Sequence, residues 1–211
     1  MNNFKKLVLS SLAAGALALS ALPAQATLIL TLTDGSNTAT VNDLAHTGFV
    51  NFNGALGAWT INVSTGVDFS NPNVASLDLN SIDAVASGTG LSTLTINLTD
   101  TGLTGPVGTN VSGSTSVGGT THGTVQFNTY FNGSLVASLG AFSTPSYSQD
   151  MAFNGLDTSS PFSLTNEVVI TQNGAGLTSF DMITTVPEPT TLALLGLGLL
   201  GLGFARRRMS V

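Results

Sequence analysis

The stretch Leu94-Thr95-Ile96-Asn97-Leu98-Thr99 decides the fold. Every second residue is a large aliphatic and every residue between is polar, the period-two signature of a strand with one face on a core and the other in water. The alternation recurs outward in both directions. Upstream, Leu28, Leu30 and Leu32 alternate with Ile29, Thr31 and Thr33, then Trp59, Ile61 and Val63 with Thr60, Asn62 and Ser64, and Leu77 and Leu79 with Asp78 and Asn80. Downstream come Val125 with Phe127, Phe162 to Ile170, and Phe180 with Met182. Roughly ten to twelve such runs, separated by Gly, Asn, Asp and Pro, have the spacing of a sandwich or barrel. Helical periodicity is absent outside the two terminal segments. The pattern predicts an all-β fold, a β-sandwich of jelly-roll-like form, with Trp59, Phe49, Phe127, Phe131, Phe153, Phe162 and Phe180 as core aromatics. Thr101 to Thr124, rich in Gly, Ser and Thr, reads either as a long connection or, by preference, as a weakly patterned hairpin around Gly118-Gly119.

Charge is distributed as unevenly as hydrophobicity is evenly. All five basic residues lie at the ends, Lys5 and Lys6 near the start and Arg206, Arg207 and Arg208 near the finish. Between Thr27 and Val186 stand ten carboxylates and, as candidate cations, only His46 and His122. Nucleic acid is therefore not an expected partner, because neutralising phosphates requires Lys and Arg. Cysteine is absent, so an exported domain must be held by its core, and thiol catalysis and thiolate metal sites are excluded.

The two ends are addresses rather than parts of the fold. Residues 1–26 combine Lys5 and Lys6 with an apolar stretch from Leu7 to Leu22 and the small-x-small ending Ala24-Gln25-Ala26, the form of a secretory signal peptide cleaved after Ala26. Residues 27–185 form the sandwich, and 186–211 a tail. In the tail Pro187-Glu188-Pro189 precedes an apolar Leu/Gly run of sixteen residues, 190–205, closed by Arg206-Arg207-Arg208. As a helix this run reaches about 24 Å, short of a hydrocarbon core of about 30 Å, a gap that bilayer thinning or arginine snorkelling closes. The arginines stay on the cytoplasmic side and leave Pro187-Glu188-Pro189 at the outer membrane face. Two prolines keep that tripeptide out of helix and extended, and Glu188 is the one charge in it for an enzyme to read.

A Pro-Glu-Pro break, an apolar span and a basic stop resemble the PEP-CTERM sorting signal of exopolysaccharide-producing Gram-negative bacteria. The resemblance covers about the last 25 residues, with the signal peptide as its expected companion. It implies recognition of Pro187-Glu188-Pro189 by an exosortase, a membrane processing enzyme, and removal of the hydrophobic tail. A membrane-anchored precursor would then pass to the cell surface or to an exopolysaccharide matrix. The tail family has also carried an ice-binding label, which describes neighbours of the tail rather than the tail.

No catalytic set stands out in the body, and the chain is expected to be non-enzymatic. His46 and His122 lack partners at ligand spacing, no Gly-x-Ser-x-Gly elbow occurs, and no Lys is present to activate a serine. Ten acids leave room for a carboxylate pair of glycosidase type, but nothing marks one. No cofactor is expected. Calcium is the one ion the acidic loops suit, through Asp78 with Asp83 around Asn80 or Asp34 with Asn37, although neither has EF-hand spacing and solvated loop carboxylates are the favoured reading. Thr31-Leu32-Thr33, Thr38-Ala39-Thr40 and Thr93-Leu94-Thr95 share a Thr-x-Thr form, read as the solvent face of strands. Of the rings suited to stacking on a sugar, Trp59, Tyr130 and Tyr147, Trp59 is assigned to the core because it shares a face with Ile61 and Val63. The expected function is an exported surface or matrix protein, with a lectin-like sugar-binding sandwich as the alternative and a carboxylate glycosidase as a third reading.

Overall fold

The structure is a computed structural model that describes residues 27–187 apart from Pro72. The signal peptide with Ala24 and Ala26, and the tail from Glu188 through Pro189 to Arg206, Arg207 and Arg208, lie outside the described residues. Both expected terminal helices do so as well.

Twelve strands follow in order: β1 (Thr27–Thr33), β2 (Thr38–Asn42), β3 (Phe49–Leu56), β4 (Trp59–Asp68), β5 (Val74–Ala86), β6 (Leu91–Leu103), β7 (Val111–Thr121), β8 (Thr124–Phe131), β9 (Ser134–Phe142), β10 (Ser146–Leu156), β11 (Phe162–Asn173) and β12 (Gly176–Pro187). They form two six-stranded antiparallel sheets, sheet A in the order β2-β1-β6-β11-β8-β9 and sheet B in the order β10-β7-β12-β5-β4-β3. The last eight strands wind between the sheets as β5-β12-β7-β10 in one and β6-β11-β8-β9 in the other. That interleaving of two Greek keys is the jelly-roll order. The hairpin β1–β2 widens sheet A, and β3–β4 widens sheet B.

The core lies between the sheets and is supplied by the inward phase of each strand. Leu94, Ile96 and Leu98 on β6, Leu28, Leu30 and Leu32 on β1, Trp59 and Ile61 on β4, and Leu77 and Leu79 on β5 are all buried. Near one edge Phe127, Phe142, Tyr147 and Phe180 form an aromatic group, with Phe142 and Tyr147 stacked at 4.8 Å. Tyr147, expected as a candidate sugar platform, belongs to this core.

Two expectations need correction. Phe49 is 49% exposed, because on β3 it is Val50 that occupies the inward phase and Phe49, one residue away, points out. Gly118-Gly119 is no hairpin turn: β7 runs straight through it, pairing with β10 and β12 on either side. Gly119 is there for closeness, since a β-carbon on it would collide with the Ser179 carbonyl and the Tyr147 hydroxyl. The chain turns instead at His122-Gly123 and crosses to sheet A.

Candidate functional site

The outer face of sheet A gathers the hydroxyl and amide side chains that the sequence scatters. Strand register lines up Thr40, Thr31, Asn97, Glu167, Asn128 and Ser138 in one row across all six strands. A parallel row holds Ile29, Thr99, Thr165 and Tyr130, and a third Thr38, Thr33, Thr95 and Gln126 with Val169 between. The three Thr-x-Thr segments therefore meet on adjacent strands of one face, which bears out their reading as solvent-side threonines and adds that they are contiguous.

Glu167 is the hub of this face. Its Oε1 accepts hydrogen bonds from Asn128 Nδ2 at 2.8 Å and from the Tyr130 hydroxyl at 3.0 Å. Ser138 Oγ donates to Asn128 Oδ1 at 2.8 Å, and Gln126 Nε2 reaches Ser138 Oγ at 3.2 Å. Thr99 pairs with Thr165 at 2.9 Å and Thr93 with Thr171 at 3.3 Å. Burial, then the hydrogen bond to Glu167, raises the Tyr130 phenol above its ordinary value, so it stays a neutral donor. The result is a fixed lattice of donors and acceptors, with a single carboxylate and one half-buried aromatic edge. The outer face of sheet B differs, carrying Asp78, Asp150 and Asp181 among serines.

Inside the sandwich a second polar system ties the sheets together. Asn166, on the inward phase of β11, donates through Nδ2 to the Leu77 carbonyl at 3.0 Å and accepts at Oδ1 from Thr184 at 2.6 Å. Thr115, Thr129 and Thr184 close a hydroxyl triangle around it, with separations of 2.8 to 3.2 Å. Gln172, Thr178 and Thr121 make a similar chain. Every polar group in these chains has a partner, as burial requires.

Elsewhere among the described residues, Trp59 Nε1, Asp78 Oδ1 and Ser92 Oγ are buried without a hydrogen-bond partner, and Asp100 is the one residue with two such atoms. It stands in a row with Leu28, Leu164 and Phe131, is 1% exposed, and neither oxygen has a hydrogen-bond partner. Burial first, then the neighbouring Asp68 carboxylate, push it up to about 7, and Asp43 contributes in the same direction. Asp43 is held low by backbone hydrogen bonds from Thr47 and then Gly48, the latter at 2.6 Å. With no Lys or Arg in the body to pair with it, a retained proton is how Asp100 tolerates burial.

The residues singled out for metal or acid chemistry fare differently. Asp34 and Asn37 form a turn: Asp34 Oδ1 accepts the backbone N–H groups of Ser36 and Asn37, and Asn37 Nδ2 donates to Asp34. Both partners are engaged by the loop itself. Asp78 meets Asp181 across β5 and β12, and burial, then that charge, raises it; the side chain of Asp83 lies outside the described set. Among the described residues no three His, Cys, Asp or Glu side chains converge to hold a metal ion. His46 and His122 are exposed in separate loops. Two carboxylate pairs lie close enough to raise the proton affinity of one member, Asp68 with Asp100 and Asp78 with Asp181, and in the first of them Asp100 is buried away from any substrate.

At the tail, β12 continues past the sandwich core. Val186 is fully buried and pairs with Ala75, and Pro187 pairs with Val74. Residues 185–208 match the PEP-CTERM protein-sorting motif. The chain carries a PEP-CTERM sorting tail. Such a tail marks an exported protein anchored in the membrane before an exosortase, itself a membrane enzyme, processes it. The PEP-CTERM match begins inside β12, so the last three residues of that strand belong to both the sandwich and the motif. No curated protein matches the chain in sequence. Among solved structures it is similar to the CBM36-1 domain of a multidomain xylanase from the hindgut metagenome of Trinervitermes trinervoides, at 11% identity and TM-score 0.28, over 75% of this chain and 95% of that one. It is also similar to the C-terminal CBM6 of LamC, a marine laminarinase from Zobellia galactanivorans, at 8% identity and TM-score 0.28, over 74% and 98%. A third is the PA14 sugar-binding domain from an RTX adhesin, at 13% identity and TM-score 0.33, over 74% and 88%. At such scores these likenesses carry no argument about ligand.

Proposed function

We propose that this is a non-enzymatic surface or matrix protein of a Gram-negative bacterium, delivered by its PEP-CTERM tail and retained among exopolysaccharide by the outer face of sheet A. The observation that carries the reading is the row from Thr40 to Ser138, in which hydroxyls and amides on five strands flank Glu167 on the sixth, with Tyr130 in the next row. Sugar hydroxyls both donate and accept, so a fixed lattice of Thr, Asn, Gln and carboxylate partners suits them, and Tyr130 offers a ring edge with a polar tip. Spread over a whole sheet face, the lattice favours an extended polymer over a single sugar in a pocket.

Binding of the mature protein to immobilised exopolysaccharide from its own host tests this. Glu167→Gln removes the charge-assisted acceptor and Tyr130→Ala the ring. Each is expected to weaken retention roughly tenfold, the effect of one hydrogen bond to a charged group. Retention unchanged in the double variant would assign the protein a structural role without glycan contact through this face.

A further inference from the structure

Seven large apolar side chains are exposed among the described residues, and five of them, Leu44, Phe49, Phe69, Val107 and Leu135, lie at one end of the sandwich. That end is defined by the antiparallel ladders. β12 finishes there at Pro187 opposite Val74, where β5 begins; β4 finishes at Asp68, and β3 begins at Phe49. Leu44 lies in the β2–β3 connection, Phe69 in β4–β5 and Val107 in β6–β7, while Leu135 is the second residue of β9. The other two, Leu91 at the far end of β6 and Ile183 on the outer face of sheet B, stand apart.

We propose that this end of the sandwich docks on the outer surface of the lipid bilayer that holds the tail, with Leu44, Phe49 and Phe69 inserted at the lipid interface. The inference rests on the reading of residues 190–205 as a membrane span. Only Glu188 and Pro189 separate β12 from that run, so Pro187 and Thr190 are at most about 11 Å apart. The strand end cannot rise far from the headgroups. Phe69 follows β4, two strands from β12 in sheet B, and Phe49 opens β3, three strands away. At about 4.8 Å per strand these are lateral offsets of about 10 and 14 Å, within the footprint the tether holds against the membrane.

Exposed aromatic and aliphatic side chains on loops are costly in water and favourable at an interface. Among the described residues the carboxylates at this end are Asp43, Asp68, Asp100 and Asp157, of which only Asp157 is exposed, in the β10–β11 connection at the edge of sheet B opposite β3. Asp43 is buried, with its charge satisfied by Thr47 and Gly48, and Asp100 is buried behind it. Docked this way, the strands stand away from the membrane, and the outer face of sheet A turns sideways, open to surrounding polymer.

The chain has no cysteine, so single introduced cysteines report one position at a time. The full chain carrying Leu44→Cys, Phe69→Cys or Leu91→Cys is labelled with an environment-sensitive dye, reconstituted into phosphatidylethanolamine–phosphatidylcholine vesicles and floated on a density gradient. All three positions are exposed, so none of the substitutions disturbs the core. The expected result is co-flotation, with a blue shift and quenching by spin-labelled lipid at positions 44 and 69 and neither at 91. Labels at 44 and 69 as water-exposed as that at 91, in a chain that floats, overturn the docking. A chain that does not float overturns the anchoring and the docking with it.

Discussion

Asp100 shows how much one residue's phase decides. The series Leu94, Ile96, Leu98 continues to Asp100, so the carboxylate enters the core on the same face as three aliphatics. Its raised proton affinity has a definite sign for stability. Between the unfolded value of 3.8 and about 7 the native chain binds the extra proton, so stability falls as pH rises through that window. Asp34 and Asp157, held low by hydrogen bonds from Asn37 and Ser159 respectively, act oppositely, and their contribution is lost as pH falls below the ordinary carboxylate range. Urea midpoints of the wild type should therefore decline from pH about 5 to about 8, and Asp100→Asn should flatten that decline; a parallel decline in the variant would assign it to other groups. Asn166 obeys the same phase rule, between Leu164 and Val168. Truncating it to Ala removes a donor to the Leu77 carbonyl and takes an acceptor from Thr184, an expected loss of about 1–3 kcal/mol in urea unfolding. Both residues were legible in principle, since period two extends past the aliphatics to whatever stands next in phase. The row around Glu167 was not. Its members come from six strands, and no local pattern states which residue of one strand faces which of another.

At the scale of the element, β12 joins architecture to address. Its inward series Phe180, Met182, Thr184, Val186 ends one residue before Pro187, which has no N–H to give and so suits the last position of a strand. The sequence divides here into a domain and a tail, but the ladder with β5 runs on through Val186 and Pro187. An enzyme that grips Pro187-Glu188-Pro189 in extended form meets a tripeptide whose first residue is already extended and paired. Sorting is then expected to depend on the charges flanking this junction. Glu188→Ala, or loss of Arg206 to Arg208, should leave full-length precursor in the membrane fraction, read by intact mass after fractionation; normal processing in both variants would refute the role given to those residues. The misplacement of Phe49 belongs to this scale too. On an edge strand with few aliphatics, Phe49 and Val50 compete for the inward phase, and composition alone does not say which wins.

For the whole molecule the governing fact is one-signed charge. The body holds ten carboxylates and no Lys or Arg, so nearly every long-range Coulomb interaction within it is repulsive. Salt screens such repulsion over a Debye length of about 10 Å at 0.1 M. The consequence for binding separates two kinds of polymer. Hydrogen bonds from the sheet A lattice to a neutral polysaccharide involve no counterion release, so their strength should be nearly independent of NaCl. A uronate-rich polymer meets Glu167 and the acidic sheet B as like charges, and its binding should be weak at low ionic strength and strengthen as NaCl is added. Affinity electrophoresis of the mature protein in gels cast with each polymer, over a range of NaCl, measures both slopes. Binding of the uronate polymer that weakens with salt would require a Lys or Arg contact, which the body between Thr27 and Val186 does not possess, and would overturn attachment through the sheet A lattice.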